Sequence, residues 1–212
     1  MASLAEHLSG PPSSALSVVA KIANPGPLGL FGLGLTTVVL SCINAGILPP
    51  EAVPAIVPLA FAYGGVAQLV AGFLEFRAGN TFGIVAFTSY GLFWWWYALM
   101  NWTVGAGWLK PPAAVGIACA LLMWGVLTLL LWIVTFRSSR AVWSVFLLLW
   151  ITFFLLAAGD AGFSTASISF ATIGGYCGLV TGAAAILVAF AELLNITAGR
   201  VVVGLGKPLI SN

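Results

Sequence analysis

Charge is the scarcest property of this chain: 6% of its 212 residues are Asp, Glu, Lys or Arg, against about a quarter in an average soluble domain. Histidine is nearly missing as well, since His7, close to the N-terminus, is the sole example. No Ser/His or Cys/His pair can therefore form inside the apolar part of the chain, and no histidine cluster can hold a metal ion. The five acidic residues, Glu6, Glu51, Glu75, Asp160 and Glu192, sit in the N-terminal tail, in loops or at the ends of apolar runs. A carboxylate relay at the bilayer midplane, as a charge-driven pump would need, has no residue to carry it. The serines of AGFSTAS, around Ser164, have no base nearby in sequence. The three cysteines, Cys42, Cys119 and Cys177, each fall within an apolar run. There they act as small apolar residues and imply neither a disulfide framework nor a redox compartment. The opening MASLAEHLSGPPSSALSVVAK lacks the basic start and clean apolar core of a cleavable signal. It reads as a tail with an interfacial segment near Ala15 to Ala20. An enzyme is not expected, nor is any metal or cofactor.

What the chain has in abundance is apolar length: 61% of residues are hydrophobic and the mean hydropathy is +1.13. A membrane-spanning helix needs about 20 mostly apolar residues. Six runs satisfy this, near Leu28–Leu48, Pro54–Leu74, Thr81–Met100, Pro112–Thr135, Ala141–Ala158 and Ile168–Leu194. The expected fold is an all-α integral membrane protein with six transmembrane helices in one bundle, joined by short connections that make successive helices antiparallel neighbours. Residues 1–26 and 196–212 are expected as tails and residues 27–195 as the membrane domain. With the N-terminus inside, Lys21, Arg77, Arg137, Arg140, Arg200 and Lys207 face the cytoplasm, and Lys110 alone lies outside. That distribution puts both termini on the cytoplasmic side. The net charge of +2 thus reports orientation in a lipid bilayer and gives no support for a nucleic-acid partner.

Three stripes emerge at helical spacing. Gly64, Gln68, Gly72 and Glu75 share one face of the second run, and Gly174, Gly178, Gly182, Ala185, Ala189 and Glu192 share one face of the sixth. Small residues at this spacing let helices approach closely in lipid, within or between subunits. Tyr90, Trp94, Tyr97 and Asn101 form the third stripe, which runs into an aromatic cluster from Phe93 to Trp102 that suits either an interfacial anchor or a vestibule lining. Glu75 and Glu192 each end a stripe at an inner helix terminus, where the bland reading is an ion pair with Arg77 or Arg200, their nearest basic neighbours in sequence.

What remains inside is polar but uncharged: Thr36, Thr37, Asn44, Gln68, Thr88, Ser89, Tyr90 and Asn101. Such a lining suits a small neutral solute, or a weak acid that crosses with its proton, because a bare anion there would meet a cost of about several kcal/mol. The residues alone indicate a six-helix channel or carrier for a small polar molecule. The stretch NPGPLGL, Asn24 to Leu30, opens the first run with two prolines. Proline is tolerated at the first helical position because its missing N–H would be unpaired anyway. With Pro27 there, the donors of Leu28, Gly29 and Leu30 would be free to hold a carboxylate at the positive end of the helix dipole, with Asn24 as cap or ligand. A plain helix-start signal followed by packing glycines is the alternative.

NPGPLGL, together with YGGVAQLVAGFLEFRAGNTFGIVAFTSYGLFW from Tyr63 to Trp94 and AFAELLN from Ala189 to Asn195, resembles the acetate uptake transporter family, which includes the succinate/acetate permeases. Gly26 replaces the alanine usual between the prolines. The resemblance implies uptake and exchange of acetate and related short acids, in some members succinate, either coupled to protons or through a channel. It also implies a homo-hexamer in the cell membrane, each subunit with its own pore, in a fold related to urea and amide channels. A channel for small neutral solutes such as urea or amides is the alternative function. By position, the narrow apolar gate of the family falls on Leu33, Tyr90 and Leu149. Leu33 stands where many members have Phe, so a wider gate is expected here. Asn24, Leu28, Gly29, Leu30, Thr36, Asn44, Gln68 and Thr88 are the expected substrate-binding residues, with Glu75 and Glu192 as acidic residues at the inner rim.

Overall fold

The computed structural model describes residues 23–210. The proposed interfacial segment Ala15–Ala20 and most of the N-terminal tail lie outside the described residues. Helix α1 spans Gly26–Asn44. A short turn at Pro50–Ala52 leads into α2, Val53–Leu59, which runs through a π-helical stretch, Ala60–Ala67, into α3, Gln68–Ala78. Then come α4, Thr81–Gly105, α5, Ala114–Val134, α6, Arg140–Asp160, and α7, Phe170–Ala198. Because α2, the π stretch and α3 form one continuous helical rod, the six expected spans correspond to six rods. Five of these meet the length and apolarity of a membrane crossing on composition alone; α4 is not among them. Its run of tryptophans, tyrosines, glycines and threonines, with Asn101, dilutes its hydropathy, although its 25 residues are ample for a crossing.

The turns follow their local chemistry. Helix α3 stops at Gly79, whose φ of 71° lies in the left-handed region open to glycine. Asn80 then caps α4 by accepting from the Gly83 amide at 3.1 Å. Ser139 and Ser169 cap α6 and α7 in the same way, through the amides of Val142 and Thr172.

Lipid offers no hydrophobic drive for helix association, so close backbone approach must hold the rods together. The small-residue stripe of α7 serves this purpose within the subunit. A Cβ on Gly182 would lie 2.8 Å from the Gly34 carbonyl oxygen, and one on Gly34 would lie 2.8 Å from that of Gly182, so α1 and α7 cross at these two glycines. Gly178 faces Ser41 and Thr152, Gly174 faces Leu155 and Leu156, and Ala185 and Ala189 are fully buried. The α3 stripe does the same against α4, with Gly72 on Thr88 and Gly64 on Trp94. Gly182→Val is expected to force α1 from α7 and destabilise the bundle by about 1–3 kcal/mol, the usual range for overpacking. A lower melting temperature of the detergent-solubilised protein would show it. Gly116→Ala, on α5 with nothing within 4 Å of the new methyl, should leave melting unchanged.

The segment after α7, expected as a tail, is docked. Asn195 Oδ1 accepts from the amides of Val202 and Val203 at 2.6 and 2.9 Å, and its Nδ2 donates to the Val203 carbonyl at 2.8 Å. The chain then crosses the α5–α6 turn. The Ala141 amide donates to the Leu205 carbonyl at 3.0 Å, and the amides of Leu209 and Ile210 donate to that of Phe136 at 3.1 and 3.0 Å.

Candidate functional site: two cavities and a closed waist

Two cavities enter the bundle from opposite ends. The wider, about 390 Å³, lies at the end that carries Arg77, Arg137, Arg140 and Arg200, and is lined by Asn24, Leu30, Glu75, Ala86, Phe146 and Glu192 among others. The smaller, about 40 Å³, lies toward the other end and is lined by Leu33, Thr37, Ser41, Asn44, Tyr90 and Leu149 with Phe93 and Trp94. The two linings sit one helical turn apart on three rods: Leu30 and Leu33 on α1, Ala86 and Tyr90 on α4, Phe146 and Leu149 on α6. The barrier between the cavities is therefore about one turn thick, roughly 5 Å. Leu33, Tyr90 and Leu149, the residues expected at the gate, line the smaller cavity together on the side toward the wider one, each 3% exposed or less. The Tyr90 hydroxyl donates to Thr128 Oγ1 at 3.0 Å, and Thr128 in turn donates to the Trp124 carbonyl at 2.7 Å. The tyrosine thus presents the edge and face of its ring at the waist while its hydroxyl is held by α5.

Above the waist, Thr37, Ser41 and Asn44 follow one face of α1, and Thr152 lines the same cavity, bonded to Thr181 at 3.1 Å. Of these, the sequence had assigned binding only to Asn44. Phe93 and Trp94 are buried in the vestibule, whereas Trp102 and Trp108 pair outside it at 5.8 Å. The aromatic cluster therefore serves both as lining and as outward-facing belt. Two expected residues, Thr36 and Gln68, are fully buried, and the hydroxyl of Thr36 and both amide atoms of Gln68 have no hydrogen-bond partner. The indole N–H of Trp94 is buried and unpartnered as well, a feature that spacing alone did not single out. Gln68 packs against Gly32 of α1 and precedes Leu69, which meets Gly91 of α4. It therefore stands at the depth of Leu33 and Tyr90.

Below the waist the structure rearranges the expected contacts. The N-cap of α1 is Pro25, not Asn24. Asn24 Oδ1 accepts from the Gly26 amide at 2.9 Å, and the amides of Leu28 and Gly29 both donate to the Pro25 carbonyl, at 3.1 and 3.3 Å. The donors expected to hold a carboxylate are thus consumed by the turn itself. A protein carboxylate already sits there: Glu192 Oε2 lies 3.1 Å from where a Gly26 Cβ would be. Gly29 is a packing position, because a Cβ there would collide with the Phe87 ring. Leu28 is half-buried outside both linings. Thr88 donates its hydroxyl to the Ile84 carbonyl and turns its methyl to Gly72, so it joins helices. The rim carboxylates find asparagines and not the expected arginines. Asn80 Nδ2 donates to Glu75 Oε2 at 2.9 Å, and Glu192 lies beside the Asn24 side chain at the start of α1, the two at 3.1 and 3.0 Å from the Gly26 Cβ position. Among the described residues, no lysine or arginine lines this cavity.

A third concavity, about 900 Å³ between α2 and α4, is lined by Val57, Phe61, Asn101 and Trp102 among others and shares no residue with the other two linings. Among the described residues, no group of three or more His, Cys, Asp or Glu could hold a metal ion.

A bundle of six apolar rods with opposed cavities meeting at a closed waist defines a helical membrane transport protein. The chain belongs to the GPR1/FUN34/yaaH family, whose model matches residues 9–204. It is 41% identical over 187 residues to the succinate-acetate/proton symporter SatP of Escherichia coli strain K12, covering 88% of this chain and 97% of that protein. It is 37% identical over 193 residues to acetate permease A of Emericella nidulans, covering 84% of this chain and 62% of the permease. The solved structure of the bacterial acetate channel SatP superposes with a TM-score of 0.82 at 40% identity, covering 88% of this chain and all of that one.

Proposed function

We propose that the protein carries acetate and related short carboxylic acids, succinate included, across the cell membrane by a route within each subunit, with the acid crossing the waist in its protonated form. The observation that carries this reading is the waist itself: three buried side chains, Leu33, Tyr90 and Leu149, with no charged group among them and the single hydroxyl already bonded to Thr128. A carboxylate entering this ring would lose its hydration with no cation to replace it and only neutral donors such as the Gln68 amide nearby, at a cost of about several kcal/mol. The neutral acid escapes most of that cost. Glu75 and Glu192 in the wider cavity add to the selection, since their charges repel the anion and not the acid. Gln68 lines neither cavity, but its buried, unpartnered amide stands at that depth and matches what a neutral acid needs as it passes from one cavity to the other. Its amide offers one donor face and one acceptor face, matching the C=O and O–H of a carboxylic acid, whereas the anion has no donor to offer. The names of the relatives support acids over urea or amides as cargo, and one relative is named for proton symport.

Acetate flux into proteoliposomes should rise several-fold as external pH falls from 7 to 6 at constant total acetate. Carboxylic acids titrate near pH 4 to 5, so each unit of pH above that range cuts the neutral fraction about tenfold. Labelled-acetate flux across a pH series measures this, and a flat profile with intact protein overturns the reading. The wider cavity faces the cytoplasm in this assignment, because the basic residues gather at its end. The resemblance supports a homo-hexamer, and a waist built from one chain means that each of its subunits carries its own route.

A further inference from the structure

The rod made by α2 and α3 is not uniform. Pro58 stands inside α2 without an amide hydrogen to donate, and the next turns, Ala60–Ala67, are π-helical. Single π turns inside α-helices gather at functional sites. Adjacent residues of an α-helix diverge by about 100° and do not face one partner. Here Gly64 and Gly65 both turn to α4, Gly64 receiving the ring of Trp94 and Gly65 that of Trp95. The widened turn is fastened by Trp95 in two ways. Its Nε1 donates to the Phe61 carbonyl at 3.1 Å, and its ring stacks on Phe61 with centroids 5.1 Å apart and planes 4° from parallel. The first residue after the wide turn is Gln68, fully buried with both amide atoms unpartnered, at the depth of Leu33 and Tyr90.

We propose that Trp95 is a positioning residue for solute recognition: its indole N–H, held on the Phe61 carbonyl, keeps the π turn open and so fixes the register in which Gln68 presents its amide to the passing acid. Trp95 lines neither cavity and so acts through the turn, without touching the solute. The inference rests on the reading of Gln68 given above, and its test separates the two.

Trp95→Phe keeps a ring for the stack and removes the N–H. In proteoliposomes it should raise the half-saturating acetate concentration about three- to tenfold, the change expected when one hydrogen bond is lost. Maximal flux should stay within about twofold, and melting in detergent should be little altered. In a Gln68→Ala background the same substitution should add nothing, because the group it positions is gone. A merely structural role would lower maximal flux or melting and would act equally in both backgrounds; either that result or an unchanged half-saturation in Trp95→Phe overturns the proposal. If Gln68→Ala alone leaves half-saturation unchanged, the amide reading falls first. If Gln68→Ala weakens uptake while Trp95→Phe is silent, only the positioning role falls. Should Trp95→Phe fail to assemble, Trp95→Tyr, which also lacks the indole N–H, provides the same comparison.

Discussion

Leu149→Asp is expected to lower acetate flux at neutral pH by more than about 100-fold, while Leu149→Asn keeps a measurable fraction. Leu149 is 3% exposed and lines the smaller cavity beside Leu33 and Tyr90. The cavity it lines holds rings, aliphatic carbons and the neutral polar groups of Thr37, Ser41, Asn44 and Thr152, with Phe153 one turn further along α6 and no lysine or arginine among its lining residues. An aspartate there has no cation near it, and an approaching acetate anion would meet both an apolar ring and a like charge. Raising the crossing barrier by about 3 kcal/mol already slows passage more than 100-fold, and an unpaired buried charge costs at least that much. Asparagine has the same size without the charge, so the contrast isolates electrostatics from volume. The pair should converge as pH falls and the aspartate takes up a proton. Equal flux through both variants at pH 7, in protein of equal yield, would show that the solute passes elsewhere.

Tyr90→Ala should widen the range of acids carried, raising the uptake of butyrate relative to acetate by about tenfold or more. The ring of Tyr90 lines the smaller cavity and packs at 6.1 Å from Phe146, which lines the wider one, so in the proposed route it stands between the two. Without it the cavities join across one helical turn. Discrimination by an apolar pocket is worth about 10- to 200-fold per methylene, so removing the ring should erase a factor of this size. Replacing so large a buried ring by alanine also costs about 3–5 kcal/mol of stability. The measurement is therefore a ratio of two fluxes in the same vesicles, which cancels differences in yield. Tyr90→Phe loses only the bond to Thr128 and should keep the ratio of the parent. If Tyr90→Ala also keeps it, the waist does not select by size.

The rods were legible from run length and sparse charge, because an apolar stretch of about 20 residues has few other destinies. Glycine spacing showed that Gly72 and Gly182 would lie in close contacts, yet gave no partner. Whether Gly182 meets a neighbouring subunit or Gly34 of the same chain depends on tertiary packing, which one helix cannot encode. Tyr90 as a waist residue came from resemblance, since no periodicity distinguishes it from Tyr97 two stripe positions away. The α1 start misled because Pro25 and Pro27 are both compatible with a first turn. A shift of one residue in the cap spends the amides of Leu28 and Gly29 on the Pro25 carbonyl. The neighbours of Glu75 and Glu192 differ from expectation for a related reason: sequence proximity favoured Arg77 and Arg200, while the cap residue Asn80 donates to Glu75 and the helix-entry residue Asn24 lies beside Glu192. The π turn left a trace in Pro58 and the Gly64–Gly65 pair, but its fastener, Trp95, lies some thirty positions further along the chain.

The docked segment after α7 bears on how the molecule can be handled. Leu205 lines the wider cavity, and Leu209 and Ile210 are tied to Phe136, two residues before Ser138 of the same lining, so Ile210 lies close to the mouth of that chamber. A fluorescent protein or affinity handle joined there hangs over the threshold the cargo must use, and a bulky one shades it.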